Sequence, residues 1–216
     1  MKHPGTSLVL AVAAALVTAS SARAQSRSAE IGVTAGLNLA SLAGAETPTE
    51  KRTSRSDFMA GVFLIYPSRG PASLQAEIDY SRQGGKLSDQ GAEAVFKINY
   101  ITIPVMLRLG FSDKIDGVRP ALYGGPFIAV KAGCSASFQQ GTLNLNGDCG
   151  SSSVDVQVNR MDFGVTLGGE VAYGPMGVFA RYSVGLQSID NQKTNPQDIT
   201  NRVATFGGRW TLGSIM

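Results

Sequence analysis

Apolar residues recur at every second position along most of this chain. In Asn99–Leu109, Ile101, Ile103, Val105, Leu107 and Leu109 alternate with Thr102, Pro104, Met106 and Arg108. In Ala72–Arg82, Leu74, Ala76, Ile78 and Tyr80 take one parity, and Gln75, Glu77, Asp79 and Ser81 the other. Period two predicts strands with two unlike faces. The pattern returns at Ile31–Leu39, Asp57–Tyr66, Pro120–Lys131, Val154–Tyr173, Val178–Gln187 and Arg202–Gly213. No stretch carries long helical periodicity.

The strands predicted this way number eight. The segments between them alternate in length. Ala40–Ser56, Gly84–Lys97, Ala132–Ser153 and Ser188–Asn201 are long and polar, whereas Pro67–Pro71, Gly110–Arg119 and Gly174–Gly177 are short. A soluble sandwich also alternates apolar and polar positions, with its apolar face capped by a second sheet. It has no reason to alternate loop lengths. A membrane barrel does, because long loops lie outside the cell and short turns in the periplasm. Strands near ten residues also suit a tilted crossing of the bilayer. The fold expected is therefore all-β, an eight-stranded antiparallel up-and-down transmembrane β-barrel. Tyr66, Tyr80, Tyr173, Tyr182 and Trp210 fall on apolar faces, several near strand ends, as interfacial aromatics do. Pro104 and Pro126 interrupt strands and forfeit ladder donors, which predicts a bulge or a strand end at each.

Residues 1–24 read as a secretory signal. Lys2 and His3 supply a charged start, Leu8–Val17 an apolar core and Ala22-Arg23-Ala24 a small-x-small cleavage pattern. The apolar run is too short to span a membrane as a helix. Cleavage before Gln25 leaves one domain, residues 25–216. The whole chain carries 19 basic and 16 acidic residues. Losing Lys2 and Arg23 brings the basic count to 17 and the mature charge to +1. The basic character thus belongs largely to the signal and predicts no nucleic-acid partner. The only histidine is His3. A mature chain without histidine excludes Ser-His-Asp and Cys-His chemistry and histidine metal ligands. No cofactor is expected.

Short pieces in order carry a family likeness. They are Gly36-Leu37-Asn38-Leu39, Phe58-Met59-Ala60-Gly61-Val62, Leu74-Gln75-Ala76-Glu77, Tyr80-Ser81-Arg82, Tyr100-Ile101-Thr102-Ile103-Pro104-Val105, Tyr123-Gly124-Gly125-Pro126 and Arg181-Tyr182-Ser183-Val184-Gly185-Leu186. Together they make the chain resemble the outer-membrane β-barrel domain family of Gram-negative bacteria, often labelled porin-like. The resemblance covers essentially the mature chain. It implies a small integral outer-membrane barrel, inserted by the outer-membrane assembly machinery, and no particular reaction. Such barrels usually finish on an aromatic residue. Here the last aromatic is Trp210, so Phe206, Gly208, Trp210 and Leu212 stand where the insertion signal is expected, followed by a tail.

The polar parity of the strands predicts a lumen lined by Asn38, Gln75, Glu77, Asp79, Arg108, Asp162, Glu170, Arg181, Gln187 and Arg209. An eight-stranded barrel is just wide enough for side chains to fill, and buried charges must pair. A structural ion-pair plug is the first reading; a polar pathway for a small solute or ion is the second. Glu77 and Asp79 share a face, but without a histidine or a recognisable nucleophile a catalytic carboxylate pair has little to work with. Cys134 and Cys149 fall in one predicted surface loop of an exported chain, so a disulfide closing about fifteen residues is expected. Lys51, Arg52 and Arg55 form a basic cluster in the first predicted loop, a candidate contact for anionic lipopolysaccharide. The function expected is a non-enzymatic membrane scaffold presenting surface loops, with a narrow porin-like channel as the alternative. Expected partners are outer-membrane lipid and lipopolysaccharide; the protomer is expected to be a monomer.

Overall fold

The computed structural model describes residues 28–43, 51–68, 70–89, 92–111, 117–140, 143–149, 159–187 and 200–215. The predicted signal lies outside the described residues. Among the described residues nine strands form: β1 (Ala29–Ala43), β2 (Lys51–Pro67), β3 (Ala72–Asp89), β4 (Ala92–Gly110), β5 (Val118–Gln140), β6 (Leu143–Asp148), β7 (Met161–Tyr173), β8 (Met176–Gly185) and β9 (Thr200–Ile215). Eight of them close a ring. Its order is β1-β2-β3-β4-β5-β7-β8-β9, returning to β1, and every neighbouring pair is antiparallel. This is the eight-stranded up-and-down barrel that alternation and loop lengths predict. The ninth strand, β6, pairs with the far end of β5 from Ser135↔Asp148 to Gln140↔Leu143.

Alternation inverts the ordinary burial rule. Leu37, Leu167, Val178 and Leu212 face outward and are among the most exposed large apolar residues, at 64–69%. Gln75, Glu77, Asp79, Asp162, Glu170 and Arg209 face inward and are buried. Burial strictly alternates at the start of β7, where Met161, Phe163 and Val165 point out and Asp162, Gly164 and Thr166 point in. An apolar outside with a polar inside is stable only where the outside meets lipid.

The strands outrun their predicted lengths at the loop end. β3 continues to Asp89, β4 begins at Ala92, and β5 runs on to Gln140 before turning into β6. The segment predicted as the longest loop, 132–153, is therefore largely a β-hairpin. β2 likewise begins at Lys51, so Lys51, Arg52 and Arg55 lie in a strand and not in a loop. β7 starts at Met161; the part of the predicted sixth strand at 154–158 lies outside the described residues. Pro104 and Pro126 sit in mid-strand, at neither a bulge nor an end. The β3–β4 ladder skips from Ala76↔Val105 to Asp79↔Thr102, and the β4–β5 ladder from Pro104↔Phe127 to Leu107↔Gly124, without a change of register. Each proline costs a local gap in pairing while the wall keeps its register on both sides.

Candidate functional site

The lumen holds the charges. β3 and β8 stand opposite each other, with β4, β5 and β7 between them on one side and β2, β1 and β9 on the other. Arg181 of β8 crosses that full width. Its Nη1 donates to Glu77 Oε2 at 2.6 Å and its Nη2 to Asp79 Oδ2 at 2.8 Å. Gln75 Nε2 donates to Glu77 Oε1 at 2.6 Å, fixing the second carboxylate oxygen. Period two along β3 puts Gln75, Glu77 and Asp79 on one face, so one strand supplies the whole acidic half of the clamp.

A second clamp lies nearer the short turns. Glu170 of β7 receives Arg108 Nη2 of β4 at 2.5 Å and Arg209 Nη1 of β9 at 3.0 Å, one arginine on each carboxylate oxygen. Arg181 and Arg209 also stack their guanidinium groups over Phe179 and Phe63, at 5.4 and 5.0 Å from the ring centroids. Gly61 leaves room for the first clamp, since a Cβ there would lie 2.1 Å from Asp79 Oδ1. Gly168 does the same beside Arg181, where a Cβ would lie 2.8 Å from Arg181 Cβ and 2.6 Å from the Tyr123 ring.

Above the clamps runs a neutral belt. Asn38 Nδ2 donates to Ser81 Oγ at 2.9 Å, and Thr205 Oγ1 donates to Asn38 Oδ1 at 2.8 Å. Gln83 Nε2 donates to Ser81 Oγ at 2.9 Å, and Asn201 Nδ2 donates to Gln83 Oε1. Beside the belt, where Ser81 and Gln83 of β3 pair with Tyr100 and Ile98 of β4, Ile98, Tyr100, Phe127 and Ala129 form a buried apolar cluster. The Cys134–Cys149 disulfide packs against it, so the bridge pins the β5–β6 hairpin to the top of the filled lumen.

Of the lumen residues predicted from alternation, Gln75, Glu77, Asp79, Arg108, Glu170, Arg181 and Arg209 join the two clamps, and Asn38 joins the belt. Asp162 joins neither. It lines the upper cavity and faces the backbone amides of Phe163 and Gln187, with no ion pair among the described residues. The aromatics divide by height. Tyr66, Tyr173 and Trp210 stand outward at the short-turn end, and Trp210 pairs with Met176 beside the β7–β8 turn. Tyr182 and Tyr80 stand farther up the wall, and Tyr80 packs on Phe58 at 6.0 Å between ring centroids. The basic cluster is rearranged. Lys51 and Arg52 occupy β2 opposite Ser88 and Leu87. Arg55 is already engaged: its Nη2 lies 3.0 Å from Asp57 Oδ2 on the same strand. That ion pair takes Arg55 out of the predicted cluster.

Sequence reasoning overlooked the inward aromatics. Phe63, Tyr100, Tyr123, Phe127 and Phe179 are buried inside the wall. Parity held the signal: Phe63 alternates with the lipid-facing Val62 and Leu64. Around the clamps, the described residues leave two small spaces, about 30 Å³ beside Asp79 and Asp162 and about 10 Å³ among Phe63, Glu77, Tyr123 and Arg209. A single water needs about 10–15 Å³ by the same kind of measure.

A closed antiparallel ring with a lipid-facing apolar exterior and a filled, charge-paired interior defines a small integral membrane β-barrel. The sequence model of the outer membrane protein beta-barrel domain matches residues 19–191. The chain belongs to that family, and the family sets it in the bacterial outer membrane. No curated protein matches it in sequence. Among solved structures it is similar to Ail, the attachment invasion locus protein of Yersinia pestis, at 12% identity and a TM-score of 0.46, covering 86% of this chain and 100% of that one. It is similar to Neisserial surface protein A at 16% identity and 0.45, with the same coverage. It is also similar to the outer membrane protein OprG from Pseudomonas aeruginosa at 10% identity and 0.46, covering 86% of this chain and 97% of that one.

Proposed function

We propose that this protein is a non-enzymatic outer-membrane scaffold whose lumen is closed and whose working surface is the loop end of the barrel. One observation carries the reading: Arg181 spans the ring to Glu77 and Asp79, and the spaces that the described residues leave beside this clamp are about 30 and 10 Å³, room for a few waters. A pathway for solutes would need a continuous space there, and the side chains occupy it. Three of the inward carboxylates, Glu77, Asp79 and Glu170, are held by arginines. The extended ends of β3, β4 and β5, with the disulfide-pinned β5–β6 hairpin, offer the rigid surface for a partner. Lys51 and Arg52 lie at the loop end of β2, at the level where anionic lipopolysaccharide heads are expected. The barrel inserts as a monomer through the assembly machinery, with an N-terminal signal removed on export.

The test is single-channel conductance of the refolded mature protein in a planar bilayer, after a heat-dependent gel shift has confirmed the folded barrel. A silent bilayer is expected. Steady, reproducible conductance steps would overturn the closed scaffold in favour of a narrow channel.

A further inference from the structure

The end of the barrel with the short turns opens into a vestibule that the scaffold role does not use. It is a concave space of about 500 Å³ between the β2–β3 turn and the starts of β1 and β5. Arg108, Arg119, Arg209 and Glu30 line it. Counting Glu170, which bonds Arg108 and Arg209 from outside the lining, three guanidinium groups meet two carboxylates, so the described residues leave one positive charge in excess.

The carboxylate at its mouth is loosely held. Glu30 lies 3.9 Å from Arg119 Nη1 and 3.7 Å from Arg209 Nη2, beyond hydrogen-bond range, and its side chain is 34% exposed. Arg119 is anchored by its other arm, where Nη2 donates to the Gly174 carbonyl at 2.5 Å. Two arginines thus converge on a point that the protein's own carboxylate does not fill. The Nε groups of Arg108 and Arg209 are buried without hydrogen-bond partners, and Arg209 as a whole is only 7% exposed. Those two Nε groups are closed off from the vestibule, so the donors that a ligand meets are the pair Glu30 approaches without bonding, Arg119 Nη1 and Arg209 Nη2. Arginine also presents its donors as a planar fork matched to oxyanions. The rim is partly apolar, with Ile65, Pro71 and a half-exposed Phe111.

We infer that this periplasmic vestibule binds an oxyanion, a carboxylate or phosphate group presented from the periplasm, between Arg119, Arg209 and Arg108. The site faces away from the surface loops and is independent of whether the lumen conducts.

The experiment is a titration of the refolded, isotope-labelled mature barrel in detergent micelles with sodium phosphate and, separately, sodium acetate. It is run at low ionic strength, where screening is weakest, and read from the backbone amide resonances of Ala72, Ser73 and Gly110. Saturable shifts at these amides are expected. Arg119→Gln, on the exposed rim, should weaken binding by roughly tenfold, the loss of one charge-assisted contact. Glu30→Gln, which removes the competing carboxylate, should strengthen it several-fold. The opposed signs separate a site from general attraction of anions to a basic protein. Tighter phosphate than acetate would support a phosphate ligand; the reverse would support a peptide or amphiphile carboxylate. Absence of saturable shifts in the parent protein, or equal affinity in both variants while the heat-dependent gel shift shows each folded, would overturn the inference.

Discussion

Replacing Arg181 by alanine removes a cation that crosses the ring, and the geometry around it sets the size of the loss. Two carboxylates, Glu77 and Asp79, would remain inside the wall with side chains 6% and 1% exposed and no other ion-pair partner among the described residues. Arg181 itself is 8% exposed at its side chain, so solvent screening discounts little of the effect. Two charge-assisted hydrogen bonds are lost, each worth about 1.5–3 kcal/mol. Breaking a buried pair by deleting one partner costs about 3–5 kcal/mol, much of it the burden of the stranded charge. The two routes agree on a loss of about 3–5 kcal/mol. The assay is reversible urea unfolding of the barrel in lipid vesicles, read by Trp210 fluorescence and by the heat-dependent gel shift. The triple variant Glu77→Gln, Asp79→Asn, Arg181→Met carries no stranded charge and should recover most of the loss. If Arg181→Ala unfolds within about 1 kcal/mol of the parent, the range of exposed ion pairs, then water reaches the two carboxylates. The filled-lumen reasoning would then be refuted together with the closed scaffold.

The remaining expectations concern the two ends of the barrel. Cys134→Ser with Cys149→Ser should release the β5–β6 hairpin from the apolar cluster it packs on, seen as new protease cleavage within 134–149; chain entropy in a loop of 15 residues sets the scale at about 3 kcal/mol. Cleavage indistinguishable from the parent would show that the hairpin is held without the bridge. Trp210, the only tryptophan, faces outward beside the β7–β8 turn, so brominated lipids should quench it most strongly when the bromine lies near the headgroups. Strongest quenching from the bilayer centre would mean that the short-turn end is not at the interface.

The wall of this barrel was legible because lipid and lumen impose opposite demands on successive residues. Leu74, Ala76 and Ile78 against Gln75, Glu77 and Asp79 cannot be read any other way once the loop lengths alternate. The extensions above the membrane were not legible for the complementary reason. At Gln83–Asp89 and Ala92–Lys97 both faces of the sheet leave the lipid, so the demand for alternation lapses and polar strand looks like polar loop. Arg55 was misplaced in the same way: its partner Asp57 is two residues along one strand, a relation that exists only if the segment is extended.

Which charges meet is a separate question from which charges point inward. Parity alone put Arg108, Arg181 and Arg209 in the lumen with four carboxylates. It could not tell that Arg181 takes both acids of β3 while Glu170 takes two arginines. That division comes from ring closure: β8 faces β3 across the lumen, whereas β7 lies two strands from both β4 and β9. Height completes the selection. Asp162 and Glu170 share a strand and a parity, yet eight residues separate them, about 27 Å along the strand. That distance carries Asp162 away from the arginines that satisfy Glu170 and leaves it to backbone amides instead. Alternation therefore fixes the radial direction of a charge in such a barrel, and its partner is set by strand order and axial height, which only the closed ring supplies.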